Sequence, residues 1–270
     1  MATAGLTDTV FITGGGSGIG RQLAGHYAAR GSAVAVFDLR IDERVRDALS
    51  ALNQPASFFF HEVDVRDAAA LRAAACGAVA ALGTPRLAIH CAGVQAAGRF
   101  LDLSEEQFAR VIDVNLIGSR NFAAAMLPHM QPGSKLALVA SLAGLVANYA
   151  YSAYCASKFG VLGLAGVLRL ECLPRGIDVV AICPPEVDTP MVEEELKTMD
   201  PITRELKQVA GTLDLETACR EITAGLQRDE FLVIPGARAR MIARLGRWFP
   251  GLLRRRTDAV VLGMAADGKH

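Results

Sequence analysis

The sequence has no excess of charge in either direction. Its 28 lysines and arginines are matched by 28 acids in 270 residues, so no chain-wide basic field invites nucleic acid. Long hydrophobic runs are also missing. The most apolar window, LALVASLAGLVA, is too short for a bilayer and is interrupted by Ser141 and Gly144, and no transmembrane segment is expected. The opening residues, MATAGLTDTVFITGGG, lack the basic start and apolar stretch of a secretion signal, which points to a cytoplasmic protein. Cysteines at 76, 91, 155, 172, 183 and 219 form no Cys-x-x-Cys pair, and in a cytosol they stay reduced. His26, His61, His90, His129 and His270 are scattered without ligand spacing, so no metal site is expected. Repeats, low-complexity tracts and linkers are absent too, with Gly and Pro spread as single turn signals.

What is present is a large supply of apolar residues: 51% are hydrophobic and 21% charged. That is ample for one big core, and alpha/beta folds often exceed 200 residues as a single unit. Short apolar runs alternate with longer helical patterns. The runs are TVFIT (9–13), AVAVFD (33–38), SFFFHEVD (57–64), RLAIHCAG (86–93), KLALVAS (135–141), IDVVAICP (177–184) and EFLVIP (230–235). Ala-rich segments such as GRQLAGHYAARG and DAAALRAAACGAVAALG separate them. This rhythm predicts repeated beta-alpha-beta units and a mostly parallel sheet covered on both faces. Ser104 and Gln107 make a capping-box start for a long helix that carries Asn115, with no break in its pattern. Composition shifts after Gly236, so residues 1–236 read as one domain and 237–270 as a separate C-terminal element.

The first strand leads into TGGGSGIG, residues 13–20, and then a helix. Glycines permit a tight turn and close approach of backbone to ligand, and the helix N-terminus offers unsatisfied N–H groups to a pyrophosphate. The spacing of Gly14, Gly18 and Gly20 is a variant of the dinucleotide fingerprint. Asp38 ends the second strand, where a carboxylate accepts hydrogen bonds from the adenosine ribose. A phosphate on that ribose would meet a like charge, so NAD(H) is favoured over NADP(H), a preference that Arg40 tempers.

In YSAYCASKFG, Tyr154 lies four residues ahead of Lys158. On a helix the two share a face, and a cation within ~4–6 Å lowers a phenol from its usual pKa of ~10. Tyr154 then becomes usable as a general acid/base. Taken alone, YCASK also reads as a half-buried tyrosine beside a solvated lysine.

These motifs together resemble the short-chain dehydrogenases/reductases, over about residues 8–235. TGGGSGIG matches that family's cofactor loop, which implies cofactor contacts from Gly14, Ser17, Gly18, Ile19 and Gly20. Asp64 and Val65 match the adenine contact, and Cys91, Ala92 and Gly93 stand where the family has Asn-Ala-Gly. Asn115, Ser141, Tyr154 and Lys158 match its catalytic tetrad. The resemblance implies a Rossmann-type doubly wound parallel sheet of about seven strands in the order 3-2-1-4-5-6-7. It also implies roles. Tyr154 exchanges a proton with the substrate oxygen while the nicotinamide exchanges hydride. Lys158 lowers the tyrosine pKa and holds the nicotinamide ribose, Ser141 binds the substrate oxygen, and Asn115 keeps its helix distorted and holds a relay water. Asn115 equally reads as an interior amide that satisfies backbone. Pro184, Val187 and Thr189 fall on the family's nicotinamide-side loop, with Thr189 at the carboxamide contact. The family's association through long helices implies a homodimer or homotetramer.

Two positions depart from the pattern. Cys91 replaces the family's Asn and reads as a small buried residue. Pro185 in PPEVDTPM stands where Gly is usual; it cannot take positive φ and has no N–H, so the loop must run differently. Together with CAG, that loop is similar to the branch of 3-ketodihydrosphingosine reductases, which implies a lipophilic substrate. The following segment, MVEEELKTMDPITRELKQVAG, reads as a substrate-side lid. Residues 237–256 hold seven arginines and no acid, and from 237 onward eight bases oppose two acids, a net +6. Met241, Ile242, Leu245, Trp248, Phe249, Leu252 and Leu253 recur at helical spacing, with a break expected at Pro250 and Gly251. Such an element either lies on an anionic membrane surface or packs over the cleft or against another subunit.

The expected activity is hydride transfer between NAD(H) and a secondary alcohol or ketone of a hydrophobic, lipid-like or steroid-like substrate. A reductase of small polar carbonyls and a non-catalytic NAD(H) sensor are the alternatives.

Overall fold

The computed structural model describes residues 9–52, 58–196 and 199–266. Ser57, at the start of the expected third strand, and the tail charges Asp267 and Lys269 lie outside those residues.

Seven parallel strands form the central sheet: β1 (Thr9–Thr13), β2 (Ala33–Asp38), β3 (Phe58–Glu62), β4 (Leu87–His90), β5 (Lys135–Val139), β6 (Asp178–Ile182) and the last strand, β9 (Leu232–Val233). Their order is β3-β2-β1-β4-β5-β6-β9, the doubly wound order that the resemblance implies. In register, Thr13 pairs with Phe37 and with His90, and Val139 pairs with Ile182. The carboxyl ends of the strands therefore lie level along one edge, where ligands bind in such sheets.

Alternation along each strand explains the two cores. Phe11, Ala35, Phe37, Leu136, Leu138 and Ala181 face one side. There they meet α3 (Ala68–Leu82) and α5 (Gly118–Met126) through Leu71, Ala75, Phe122 and Met126. Their neighbours Val10, Ile12, Val34, Val36, Val139 and Ile182 face the other side. They meet α1 (Gly18–Ala28), α2 (Glu43–Ser50) and α9 (Leu215–Leu226) through Leu23, Leu49 and Ile222. A sheet buried on both faces needs strands that are apolar throughout, which is why the runs read as continuous and not as alternating.

The helix expected after Ser104 starts as predicted, with the capping box of Ser104 and Gln107 formed at α4 (Glu105–Ile112). It is not continuous. The chain widens into a π-helical turn at Asp113–Ile117 before resuming as α5. α6 (Ser152–Cys172) is the long helix beneath the site; by length and composition it could cross a bilayer, but it buries Lys158 and Ser157 here.

The strand expected over 230–235 pairs only at Leu232 and Val233, opposite Ala181 and Ile182. Before it, the segment expected to be a lid folds into α7 (Pro190–Leu196) and α8 (Pro201–Ala210), with Lys197 and Thr198 between them outside the described residues. A parallel ribbon of β7 (Glu186–Val187) and β8 (Thr212–Leu213) was not foreseen and fastens that lid at its two ends. After Gly236 come α10 (Ala237–Trp248) and α11 (Pro250–Ala266), parted at Phe249.

Candidate active site

The turn between β1 and α1 is bare backbone. Gly14 and Gly18 have φ of 67° and 51°, a region that costs a side-chain residue dearly. A Cβ on Gly14 would come within 2.7 Å of Ala92 N, and one on Gly20 would collide with the Gly14 carbonyl. Ser17 precedes α1 without capping it by its side chain, so the first-turn N–H groups are left for another acceptor. A pyrophosphate fits that donor set, and Ile19 and Gly20 border the same cavity.

Asp38 stands at the rim of this cradle. Its Oδ2 accepts from Gly16 N at 2.8 Å and its Oδ1 from Leu39 N at 2.7 Å, which orients the carboxylate and leaves further lone pairs for ribose hydroxyls. Asp64 is held differently, by a bidentate pair with Arg66, whose Nη2 donates to Oδ2 at 2.6 Å and whose Nε donates to Oδ1 at 3.0 Å. The guanidinium bond keeps its carboxyl below the ordinary range. Val65 is fixed through its carbonyl, which accepts from Asn121 Nδ2 at 3.0 Å.

The four tetrad candidates converge from three elements. Asn115 lies in the π turn, 1% exposed. Its Oδ1 accepts from Val94 N at 2.8 Å, and its Nδ2 donates to Val94 O and Ser157 Oγ, both at 2.9 Å. The interior-amide reading therefore describes what its side chain does here. Ser141 follows β5 and accepts from Ala143 N at 3.1 Å, which turns its hydroxyl toward the cavity shared with Tyr154. Lys158 is buried, not solvated: its Nζ donates to Val139 O at 2.9 Å and lies 5.6 Å from the centre of the Tyr154 ring.

The electrostatics differ from the sequence expectation. Burial pushes the Tyr154 phenol above its ordinary value, against a hydrogen bond from Ser141 and the charge of Lys207, which pull it down. Lys158 is drawn toward a carbonyl and not toward the hydroxyl, and burial lowers its own ammonium to about 8. Burial likewise raises the Cys91 thiol, and it pushes that of Cys183 up to about 12. A high thiol pKa leaves no nucleophilic thiolate, in keeping with the structural reading of Cys91.

The glycine turn, Asp38, Asp64, Val65, Cys91, Ser141, Tyr154 and Lys158 border one cavity of about 480 Å³, together with Ala92, Gly93, Pro184, Val187 and Thr189; Asn115 lies behind the lining and meets it through Val94. Thr189 approaches the glycine loop: a Cβ on Gly18 would lie 3.5 Å from its Cγ2. The departure at Pro185 is resolved by extension. Pro184 O accepts from Leu142 N at 2.8 Å, and Pro185 leads directly into β7 at Glu186.

The far wall of the cavity is mostly apolar and comes from late in the chain. Ile242 of α10 and Leu253 and Val260 of α11 line it beside Val146, with Arg256 and Thr257 between the last two. α10 is seated by Ala239 and Ile242 against Leu142, and by Arg240, whose Nη1 is 2.7 Å from Glu221 Oε2. The opposite surface of the same pair of helices exposes Met241, Trp248, Phe249 and Leu252.

Three residues at the site were missed from the sequence: Tyr151, Glu186 and Lys207. Tyr151 carried a signal, since it stands one turn before Tyr154 and their rings meet edge to face at 5.9 Å. Glu186 and Lys207 carried none, because their pairing depends on how the lid folds back.

Comparison with known proteins was consistent. A family model described as short chain dehydrogenase matches residues 8–200. A 3-dehydrosphinganine reductase of Arabidopsis thaliana is 34% identical over 235 residues, 83% of this chain and 68% of that protein. A short chain dehydrogenase from Mycobacterium paratuberculosis bound to NAD is 26% identical, with a TM-score of 0.74 over 81% of this chain and 91% of that one. One from Burkholderia cenocepacia in complex with NADP shares the fold at 22% identity, with a TM-score of 0.77 over 93% and 98% of the two chains.

Proposed function

The chain belongs to the short-chain dehydrogenase family of oxidoreductases acting on CH–OH groups, and from that premise we propose that it interconverts a secondary alcohol and a ketone on a hydrophobic, lipid-like or steroid-like substrate with NAD(H). One observation carries the reading: Ser141 and Tyr154 share an apolar-walled cavity with the bare glycine turn.

A bound nicotinamide supplies the hydride acceptor or donor. In oxidation, Tyr154 takes the hydroxyl proton as hydride leaves the carbinol carbon; in reduction it returns that proton to the carbonyl oxygen. Ser141 donates to the same oxygen and stabilises the charge that builds there. Lys158, held in place by Val139 O, would use its remaining N–H bonds to hold the nicotinamide ribose.

NAD(H) is favoured because Asp38 puts a carboxylate at the cradle's rim, and a ribose phosphate there would face a like charge. The lipophilic substrate is supported by the wall of Ile242, Leu253 and Val260 and by the name of the Arabidopsis relative.

Two further parts of the reading concern partners of a cytoplasmic enzyme. The exposed Trp248, Phe249 and Leu252, flanked by Arg247, Arg254 and Arg255, suit an anionic lipid surface; flotation with anionic vesicles is expected for the whole chain and not for one with those three apolar residues changed to Ser. The exposed Phe159, Val167 and Leu170 of α6 suit a second copy of the chain, a homodimer or homotetramer, which light scattering would reveal.

The deciding assay follows NADH formation from NAD⁺ with secondary alcohols of rising chain length and with sterols, using Tyr154→Phe as the blank. Rising kcat/KM with apolar size is expected. Preference for short polar alcohols would overturn the lipid reading, and turnover by the Phe variant would overturn the role of Tyr154.

A further inference from the structure

The cavity wall contains a buried ion pair, Lys207 with Glu186, at the foot of the lid. Lys207 of α8 has its Nζ 2.5 Å from Glu186 Oε2 and 3.0 Å from Tyr151 Oη, and lies 5.3 Å over the Tyr151 ring. The pair is well buried, with side-chain exposures of 15% and 12%. Glu186 Oε1 also accepts from Thr212 Oγ1 at 2.7 Å, and Thr203 Oγ1 at the start of α8 donates to Tyr149 O at 2.8 Å. Tyr151 is 3% exposed and packs its ring against that of Tyr154. Holding a lid does not require charge: well-packed apolar residues often do as well as or better than a buried ion pair. The position of this pair suggests what the charge is for.

We propose that Lys207 is a positioning residue for the acid/base step: with α8 docked on Glu186, its ammonium fixes Tyr151 against Tyr154 and brings the lid's positive charge to bear on the phenol. This rests on the reading of Tyr154 as the acid/base. The groups facing the phenol are Ser141 after β5, Lys158 and Cys155 on α6, Cys183 after β6, and Lys207 of α8 with its partner Glu186 of β7. Lys158 is turned to the Val139 carbonyl, and burial keeps the two thiols neutral. The lid thus brings an ammonium, offset in part by Glu186, toward the phenol, whereas the ammonium of the helix beneath is turned to a carbonyl. Docking of α8 favours the phenolate; undocking withdraws that support. Acid/base strength and closure over the substrate become one event.

The test reads Tyr154 directly and needs no substrate. With four tyrosines in the chain, the near-ultraviolet phenolate titration of the full-length protein minus that of Tyr154→Phe isolates one residue. In a Lys207→Met background the same difference is expected to move up by about one pH unit, and Lys207→Arg is expected to bring it back. NADH binding and circular dichroism establish that the variants are folded. A titration left in place by Met, or moved as far by Arg as by Met, overturns the proposal. Should Lys207→Met fail to fold, Tyr151→Phe removes the hydroxyl that holds the ammonium and keeps the ring; it is expected to move the titration the same way, and no movement overturns the proposal equally. Turnover by Tyr154→Phe would instead sink the acid/base reading, while the titration still decides whether Lys207 acts on the phenol.

Discussion

Asn115 and Val94 are joined by two hydrogen bonds, Oδ1 accepting from Val94 N at 2.8 Å and Nδ2 donating to Val94 O at 2.9 Å. One side chain thereby completes the backbone of the loop after β4, and its third bond, to Ser157 Oγ, ties that loop to α6. The widened turn at Asp113–Ile117 places the amide where it can do this. Asn115→Ala leaves a buried N–H and C=O unpaired, which is expected to cost about 2–4 kcal/mol. Urea denaturation measures it; a loss below about 1 kcal/mol would mean that water replaces the amide.

Asp38 makes the next case. Its carboxylate is aligned by Gly16 N and Leu39 N, so Asp38→Ala removes the like charge that a ribose phosphate would meet. The ratio of NADP to NAD efficiency is expected to rise about tenfold or more, equivalent to about 1.4 kcal/mol. Steady-state kinetics with both cofactors checks it, and an unchanged ratio would refute the ribose assignment.

Gly20 is fixed by space and not by φ. A methyl group there would strike the Gly14 carbonyl, so Gly20→Ala must push α1 away from the turn. A loss of about 2 kcal/mol or more of stability is expected, along with weakened NADH binding, read by thermal melting and by fluorescence titration. Unaltered affinity would show that the turn does not contact the cofactor.

His90 supplies a pH dependence. It is 1% exposed and its Nδ1 is 2.7 Å from Thr13 Oγ1; burial lowers its imidazole from 6.5 to about 3. Between those values the unfolded chain binds the proton and the folded one does not, so stability falls as pH drops through that window and is undiminished above it. His90→Gln is expected to flatten the acid limb of the unfolding midpoint. An equally steep limb in that variant would place the acid sensitivity elsewhere.

The parts of this molecule that were legible in its sequence are those set by short-range geometry. Continuous apolar runs marked the strands, because both faces of the sheet are covered. Gly14, Gly18 and Gly20 marked the turn, because only their spacing lets backbone pass so close to Ala92. Spacing along α6 likewise put Tyr154 and Lys158 on one face. What stayed hidden depends on segments folding back. The apolar pattern through 105–126 is the same for a straight helix as for one with a π turn, and the shortness of β9 follows from how little of β6 it reaches. The direction of the Tyr154 shift needed the degree of burial, and the hold of Lys207 on Glu186 needed the path of α8.

The placement of α10 and α11 bears on how this protein could be reshaped. Ile242, Leu253 and Val260 form one wall of the cavity, yet they belong to helices that follow the last strand of the sheet. None of the strand pairings runs through them. Varying those three side chains in a library would change the outline of this wall while leaving the glycine turn in place; exchanging the helices whole would also disturb α8 and Leu142, against which they pack. The wall of the cavity and the turn at its other end thus come from distant stretches of chain, so that the one can be varied by substitution without touching the other.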